Sequence, residues 1–330
     1  MKKYQLLKQT VGHFCVDAVC AMVVINGTQT IVDAVKFFIL YNFLAFCLQP
    51  LAGIVLDKFK KIKYQHYIVT SFVFLLAGLM SPFNIWFRVF LVGIGNCLFH
   101  TGAGVLILKE SENKLASLGI FVSSGAVGLF FGTIFADINT LHFIAVIVLV
   151  GLIVGNINLP DKKIIKKSAL IHWKIAWLLC LCITIRSFMG FMPLTQFEKT
   201  EPVLFMITIG VFCGKYFGGI LCDKFGINKV VLWSTAVVLL LFLFSFSNPY
   251  LWMFVQMIVN LSMPITLYLM YRAMPKYPAF SFGLAASFLV VGLLATFIVK
   301  EINIPAYYFL FLFIINSAII LSANKKLNKK

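Results

Sequence analysis

Short charged loops cut this chain into twelve apolar runs, each close to the ~20 residues that a helix needs to cross a bilayer. That pattern leaves little choice of fold, because inside lipid every backbone N–H and C=O must be satisfied within its own segment. The runs lie at about 6–26, 32–56, 64–80, 85–108, 114–136, 141–159, 173–192, 202–222, 230–245, 250–271, 279–300 and 305–321. Composition agrees, with 61% hydrophobic residues and a mean hydropathy of +0.98, against ~45–50% apolar residues in soluble domains. An all-α membrane protein of twelve transmembrane helices is therefore expected.

The net charge of +17 would suggest a nucleic-acid partner if it covered a soluble surface. Here it occupies the loops and reads as topology, so the partners expected are the lipid bilayer and small solutes, with no nucleic acid. Alternate loops hold 22 basic residues: Lys2, Lys3 and Lys8, then Lys58 to Lys63, Lys109 and Lys114, Lys162 to Lys174, Lys224 and Lys229, Arg272 and Lys276, and Lys325 to Lys330. The opposite loops hold three, Lys36, Lys199 and Lys300. The positive-inside rule then places both termini in the cytoplasm of a multi-pass protein of the cytoplasmic membrane. The basic start lacks a cleavage site after its apolar run, so the first helix is expected to be retained. Trp86, Trp173 and Trp252 lie near span ends and read as interfacial anchors.

Two of the cytoplasmic loops are copies of each other. GIVLDKFKKIK at Gly53–Lys63 and GILCDKFGINK at Gly219–Lys229 align Asp57 with Asp223, an offset of 223 − 57 = 166 in a chain of 330. A repeat of half the chain predicts two six-helix halves: residues 1–159, a cytoplasmic linker at 160–173, and residues 174–330. Each loop carboxylate can pair with loop lysines or with the positive end of a neighbouring helix, a contact suited to a gate. The gating set is Gly53, Asp57 and Lys58 with Gly219, Asp223 and Lys224.

These loops resemble the GxxxDRxGRR pattern between helices 2 and 3 of major facilitator superfamily transporters. Within that superfamily GHFCVDA (Gly12–Ala18), GIGNCLFHTGAG (Gly93–Gly104), SSGAVGLFFG (Ser123–Gly132), RSFMGF (Arg186–Phe191) and MPKYPAFSFGLAASF (Met274–Phe288) resemble the fosmidomycin-resistance type of efflux protein. The resemblance implies two six-helix bundles, with helices 1, 4, 7 and 10 lining a central cavity. It also implies secondary transport, commonly proton-driven efflux.

Ionisable groups within a span cost ~2.5–3.5 kcal/mol each at the helix centre and so face a cavity or a partner. Here they are His13, Asp17, Arg88, His100, Arg186 and Lys215. His13 and Asp17 are spaced i, i+4, on one helix face about 6 Å apart along the axis, where they can share a proton. Asp17, His13 and His100 are the proton-coupling candidates. Arg186, too deep to snorkel, is the leading substrate ligand, and its planar fork suits an anion. His100, Arg88, Asn260 and Tyr268 complete the substrate-binding set. Pro264 is expected to break a backbone bond on the tenth span, and Gly125, Gly128 and Gly132 to pack helices closely.

The eight cysteines all fall within apolar runs and form no metal-ligand spacing, so they read as buried small hydrophobes, with no metal or cofactor expected. No HExxH, GxSxG or paired-carboxylate constellation points to an enzyme, and a twofold repeat supplies no ring of filter residues for a channel. The function expected is secondary active transport of a small organic molecule, favouring an anion, by a monomer through proton-coupled efflux. Proton-coupled uptake of an organic anion is the alternative.

Overall fold

The computed structural model describes residues 3–28, 30–59, 61–82, 84–111, 114–158, 170–191, 200–241, 249–299 and 306–328. Residues 159–169, which include most of the expected linker and all of Lys162–Lys167, lie outside the described residues, as do Lys199 and Lys300. The helices, in order, are α1 (Lys3–Asn26), α2 (Ile31–Asn42), α3 (Gln49–Lys58), α4 (Tyr64–Met80), α5 (Ile85–Glu110), α6 (Leu115–Ile134) and α7 (Asn139–Ile157). They continue as α8 (Trp173–Phe191), α9 (Glu201–Phe225), α10 (Ile227–Leu241), α11 (Pro249–Asn260), α12 (Ser262–Ala273), α13 (Pro278–Val299) and α14 (Ala306–Asn328). Among the described residues ten helical stretches are long and apolar enough to cross a membrane, and the shorter apolar helices α4 and α10 make twelve (10 + 2).

Two of those ten are broken helices. The stretch Val32–Lys58 runs from α2 through a π-turn at Phe43–Cys47 into α3. Pro50 has no N–H and its ring crowds the carbonyl four residues back, so the chain absorbs the mismatch in a wider turn. Two amides fill carbonyls there, Asn42 Nδ2 to Phe38 O at 2.8 Å and Gln49 Nε2 to Ala45 O at 2.7 Å. The tenth expected span is likewise interrupted, at Leu261 between α11 and α12, one turn ahead of Pro264, where the freed carbonyl falls.

The chain forms two compact units. The first comprises Met1–Glu110, Ser124–Ser168 and Lys276–Ser287, and the second Ser111–Ser123, Ala169–Pro275 and Phe288–Lys330. The helices α6 and α13 thus each contribute to both. In the first unit α5 is the central element: it packs against α1, α2, α3 and α4, and 89% of its apolar window is buried. In the second, α9 packs on α11 and α12, and α8 packs on α14 and α12.

Within each unit glycines let backbones touch. A Cβ at Gly128 or Gly132 would strike the carbonyls of Phe14 and Ala18 on α1, and one at Gly210, Gly214 or Gly218 would strike Met253, Met257 and Leu261. Such small-residue stripes allow the dense packing that drives helix association in lipid. Trp252 departs from the expected anchor role. It is 2% exposed and stands edge-on to Phe309 at 5.3 Å in an apolar core with Met189, Val255 and Phe313. Trp86 and Trp173 remain on the surface, 44% and 47% exposed.

Gly128→Leu should lower the apparent melting temperature of the purified protein, corresponding to ~1–3 kcal/mol of overpacking. Gly151→Leu should leave it unchanged, because nothing lies within 4 Å of a Cβ there. Equal losses in the two variants would contradict the close contact between α6 and α1.

Candidate functional site

Three of the ionisable residues expected within spans converge in the first unit. His13 and Asp17 lie one turn apart on α1, with His13 Nε2 3.3 Å from Asp17 Oδ2. From α5, His100 brings its Nε2 to 2.9 Å from His13 Nε2 and 3.9 Å from Asp17 Oδ1. Their side chains are 6%, 18% and 10% exposed in the order His13, Asp17, His100. Gly125 on α6 closes one side: a Cβ there would collide with the Asp17 carboxylate and the His13 ring. The chain therefore needs a residue without a side chain at this point.

A further layer orients the cluster. His100 Nδ1 is 3.1 Å from Asn96 O. A carbonyl only accepts, so Nδ1 carries a hydrogen and a neutral His100 presents a lone pair at Nε2. One hydrogen then fits between the two Nε2 atoms, and His13 can offer it to either His100 or Asp17. The Asn96 side chain donates through Nδ2 to Asp17 Oδ1 at 3.2 Å and to Tyr41 Oη at 2.9 Å, while its Oδ1 is buried without a hydrogen-bond partner. Asn96 and Tyr41 were not singled out in the sequence. The signal for Asn96 was present, since it lies four residues before His100, as His13 lies four before Asp17, but a neutral amide within a span draws less notice than a charge.

The two arginines have different fates. Arg88 donates from Nε to Gly78 O at 2.9 Å and from Nη2 to Leu79 O at 3.3 Å. It neutralises the negative C-terminal end of α4 and is engaged in holding that helix end. Arg186, on α8 in the second unit, is 5% exposed and its Nε is buried without a hydrogen-bond partner. Polar groups share its unit: Gln256 Nε2 reaches Met189 O at 3.4 Å, and Asn260 Nδ2 donates to Gln256 O at 2.9 Å. Tyr268 is half-buried and carries the Arg272 guanidinium over its ring at 5.8 Å.

The repeated loops make the same contact twice. Asp57 accepts from Ala279 N at 3.2 Å and Phe280 N at 2.9 Å, the first turn of α13. Asp223 accepts from Leu115 N at 2.8 Å and Ala116 N at 2.9 Å, the first turn of α6. Both use the unsatisfied amides and the positive end of a helix N-terminus. The partners are spaced 279 − 115 = 164, close to the 166 between the carboxylates. The glycines follow suit, with a Cβ at Gly53 striking the Ala279 backbone and one at Gly219 striking Leu115. Lys58 and Lys224 are exposed beside them, Lys224 over the Phe225 ring at 5.1 Å.

No family model and no curated protein matches the chain in sequence. Solved structures do match in shape. One is that of FucP, described as a major facilitator superfamily transporter in the outward conformation. It superposes with a TM-score of 0.72 at 14% identity, over 100% of this chain and 99% of that one. A single-residue variant of the E. coli fucose:proton symporter FucP gives 0.74 at 12% identity, over 99% and 98% of the two chains. End to end, this chain has the fold of the major facilitator superfamily transporters.

Proposed function

We propose that the chain is a secondary active transporter that moves a small organic anion by alternating access and couples the movement to protons. Its twelve helices act as two six-helix halves related by the internal repeat, with both termini on the cytoplasmic side of the cytoplasmic membrane, and it works as a monomer. The observation that carries the reading is the buried meeting of Asp17, His13 and His100, a site where a proton can be held or released as solvent access changes. The matching fold of known transporters supports it. We favour efflux of a drug or metabolite, as in the fosmidomycin-resistance type. Uptake is the second reading, favoured by the likeness to a protein described as a fucose:proton symporter.

In this scheme Asp57 and Asp223 act as latches: their helix caps hold while the cytoplasmic side is closed and part when it opens. Gly53 and Gly219 let the capped helix ends approach, and Lys58 and Lys224 hold the loops at the lipid headgroups. The substrate-binding candidates are His100 in the first unit and Arg186, Asn260 and Tyr268 in the second. Arg88 we place outside that set, because its guanidinium is engaged at the end of α4.

Asp17→Asn keeps the shape of the side chain but cannot titrate. It should abolish pH-gradient-driven accumulation in proteoliposomes while leaving substrate exchange partly intact. Unchanged accumulation would move the coupling role off Asp17.

Arg186 tests the substrate class. A charge-assisted bond is worth ~1.5–3 kcal/mol, so Arg186→Ala should weaken binding of an anionic substrate by roughly 10- to 150-fold at 1.4 kcal/mol per decade. Arg186→Lys should recover only part of this, because an ammonium keeps the charge but loses the planar fork. Equal affinity of parent and Arg186→Ala, measured by calorimetry at equal folded yield, would make Arg186 a structural counter-ion.

A further inference from the structure

The cluster on α1 and α5 contains more than proton chemistry requires. Its three side chains each offer a ligand atom, and these atoms all lie within 4.8 Å of one another. In a tetrahedral site with ligands ~2.0–2.1 Å from the ion, donor atoms stand about 3.3 Å apart. His13 Nε2 stands 2.9 Å from His100 Nε2 and 3.3 Å from Asp17 Oδ2, while His100 Nε2 is 3.9 Å from the other carboxylate oxygen, Oδ1, so side-chain rotations that turn one oxygen toward both imidazoles would bring the three residues onto a common centre. We infer that His13, Asp17 and His100 form a binding site for a divalent transition-metal cation of the zinc and cobalt kind. The inference stands on this geometry and not on the proton-coupling reading.

The surroundings of His100 are those that a metal-binding histidine requires. His100 donates its Nδ1 hydrogen to a backbone carbonyl, Asn96 O, which fixes the tautomer with Nε2 directed at the cluster. Asn96 Nδ2 binds Asp17 Oδ1 and orients the carboxylate, the supporting contact that ligating carboxylates also show. Two imidazoles and one carboxylate select borderline metals such as zinc, cobalt and nickel over magnesium and calcium, which take oxygen ligands. Three protein ligands leave a fourth position for water or a solute donor, as in open zinc sites. The single carboxylate leaves the loaded site with one net positive charge, so an anion is the natural fourth ligand. An ion here replaces the hydrogen shared by the two Nε2 atoms, so metal and coupling proton exclude each other.

The test titrates cobalt into the purified full-length protein, prepared with a histidine-free affinity tag, and follows the visible absorption of the bound ion. The parent should take up one cobalt per chain with micromolar affinity, and zinc should displace it. His13→Ala and His100→Ala should each weaken binding by about 100-fold or more, beyond the ~10- to 100-fold typical of supporting residues. His66→Ala, which lies outside the cluster, should bind as the parent does. No cobalt binding by the parent, or binding that survives both cluster variants, overturns the inference. Should those variants not fold, X-ray absorption of the zinc-loaded parent decides. Two imidazole nitrogens in the coordination shell support the site, and a shell of oxygen or sulfur alone refutes it. The two readings separate cleanly. A parent that binds no cobalt while Asp17→Asn loses proton-driven accumulation removes the metal and keeps the coupling. Cobalt binding by the parent, with accumulation intact in Asp17→Asn, does the reverse.

Discussion

A polar side chain between the faces of a bilayer can be satisfied only by other groups of the protein or by water in a cavity, and that constraint organises this molecule. Most such groups here answer to a backbone carbonyl. Gln49 takes the carbonyl of Ala45 at the π-turn, Arg88 closes the end of α4, and Asn316 ties α14 to Cys182 O at 2.7 Å. Against that background the groups held by other side chains, or by nothing, stand out. His13, Asp17, His100 and Asn96 meet through their side chains, and the Arg186 Nε is buried with no hydrogen-bond partner. Polar satisfaction therefore separates residues that cap and tie helices from the residues to which a function is proposed.

Much of this was legible in the sequence because the bilayer imposes a length and a composition. The twelve runs reappear as ten long and two shorter apolar helical stretches among the described residues. The i, i+4 spacing of His13 and Asp17 was enough to put them together, since one helix turn fixes that geometry. That His100 would join them depended on how α5 packs on α1, 87 residues away in the chain, and no local pattern encodes that. The two arginines show the same limit. In the sequence Arg88 and Arg186 differ in depth, and both were placed in the substrate-binding set; only the position of the α4 C-terminus makes Arg88 a cap. Trp252 looked like an interfacial anchor from its place near a span end, yet packing against Phe309 buries it.

The repeated loops show how a motif can be read while its partner stays hidden. Carboxylates at Asp57 and Asp223 suggested pairing with a helix end, but the ends they cap lie 222 and 108 residues away. Each joins a carboxylate from one half of the sequence to a helix from the other. Four such bonds, two at each site, tie the two loops to helix N-termini.

The most direct measurement of the central claim follows a pH gradient across proteoliposomes holding the parent protein while small organic anions are added one at a time. The account predicts that a subset of them, at saturating concentration, discharges the gradient, and that the discharge stops when the gradient of that anion is used up. A steady ion current independent of any solute, or saturable solute flux with no proton movement at any pH, would contradict it.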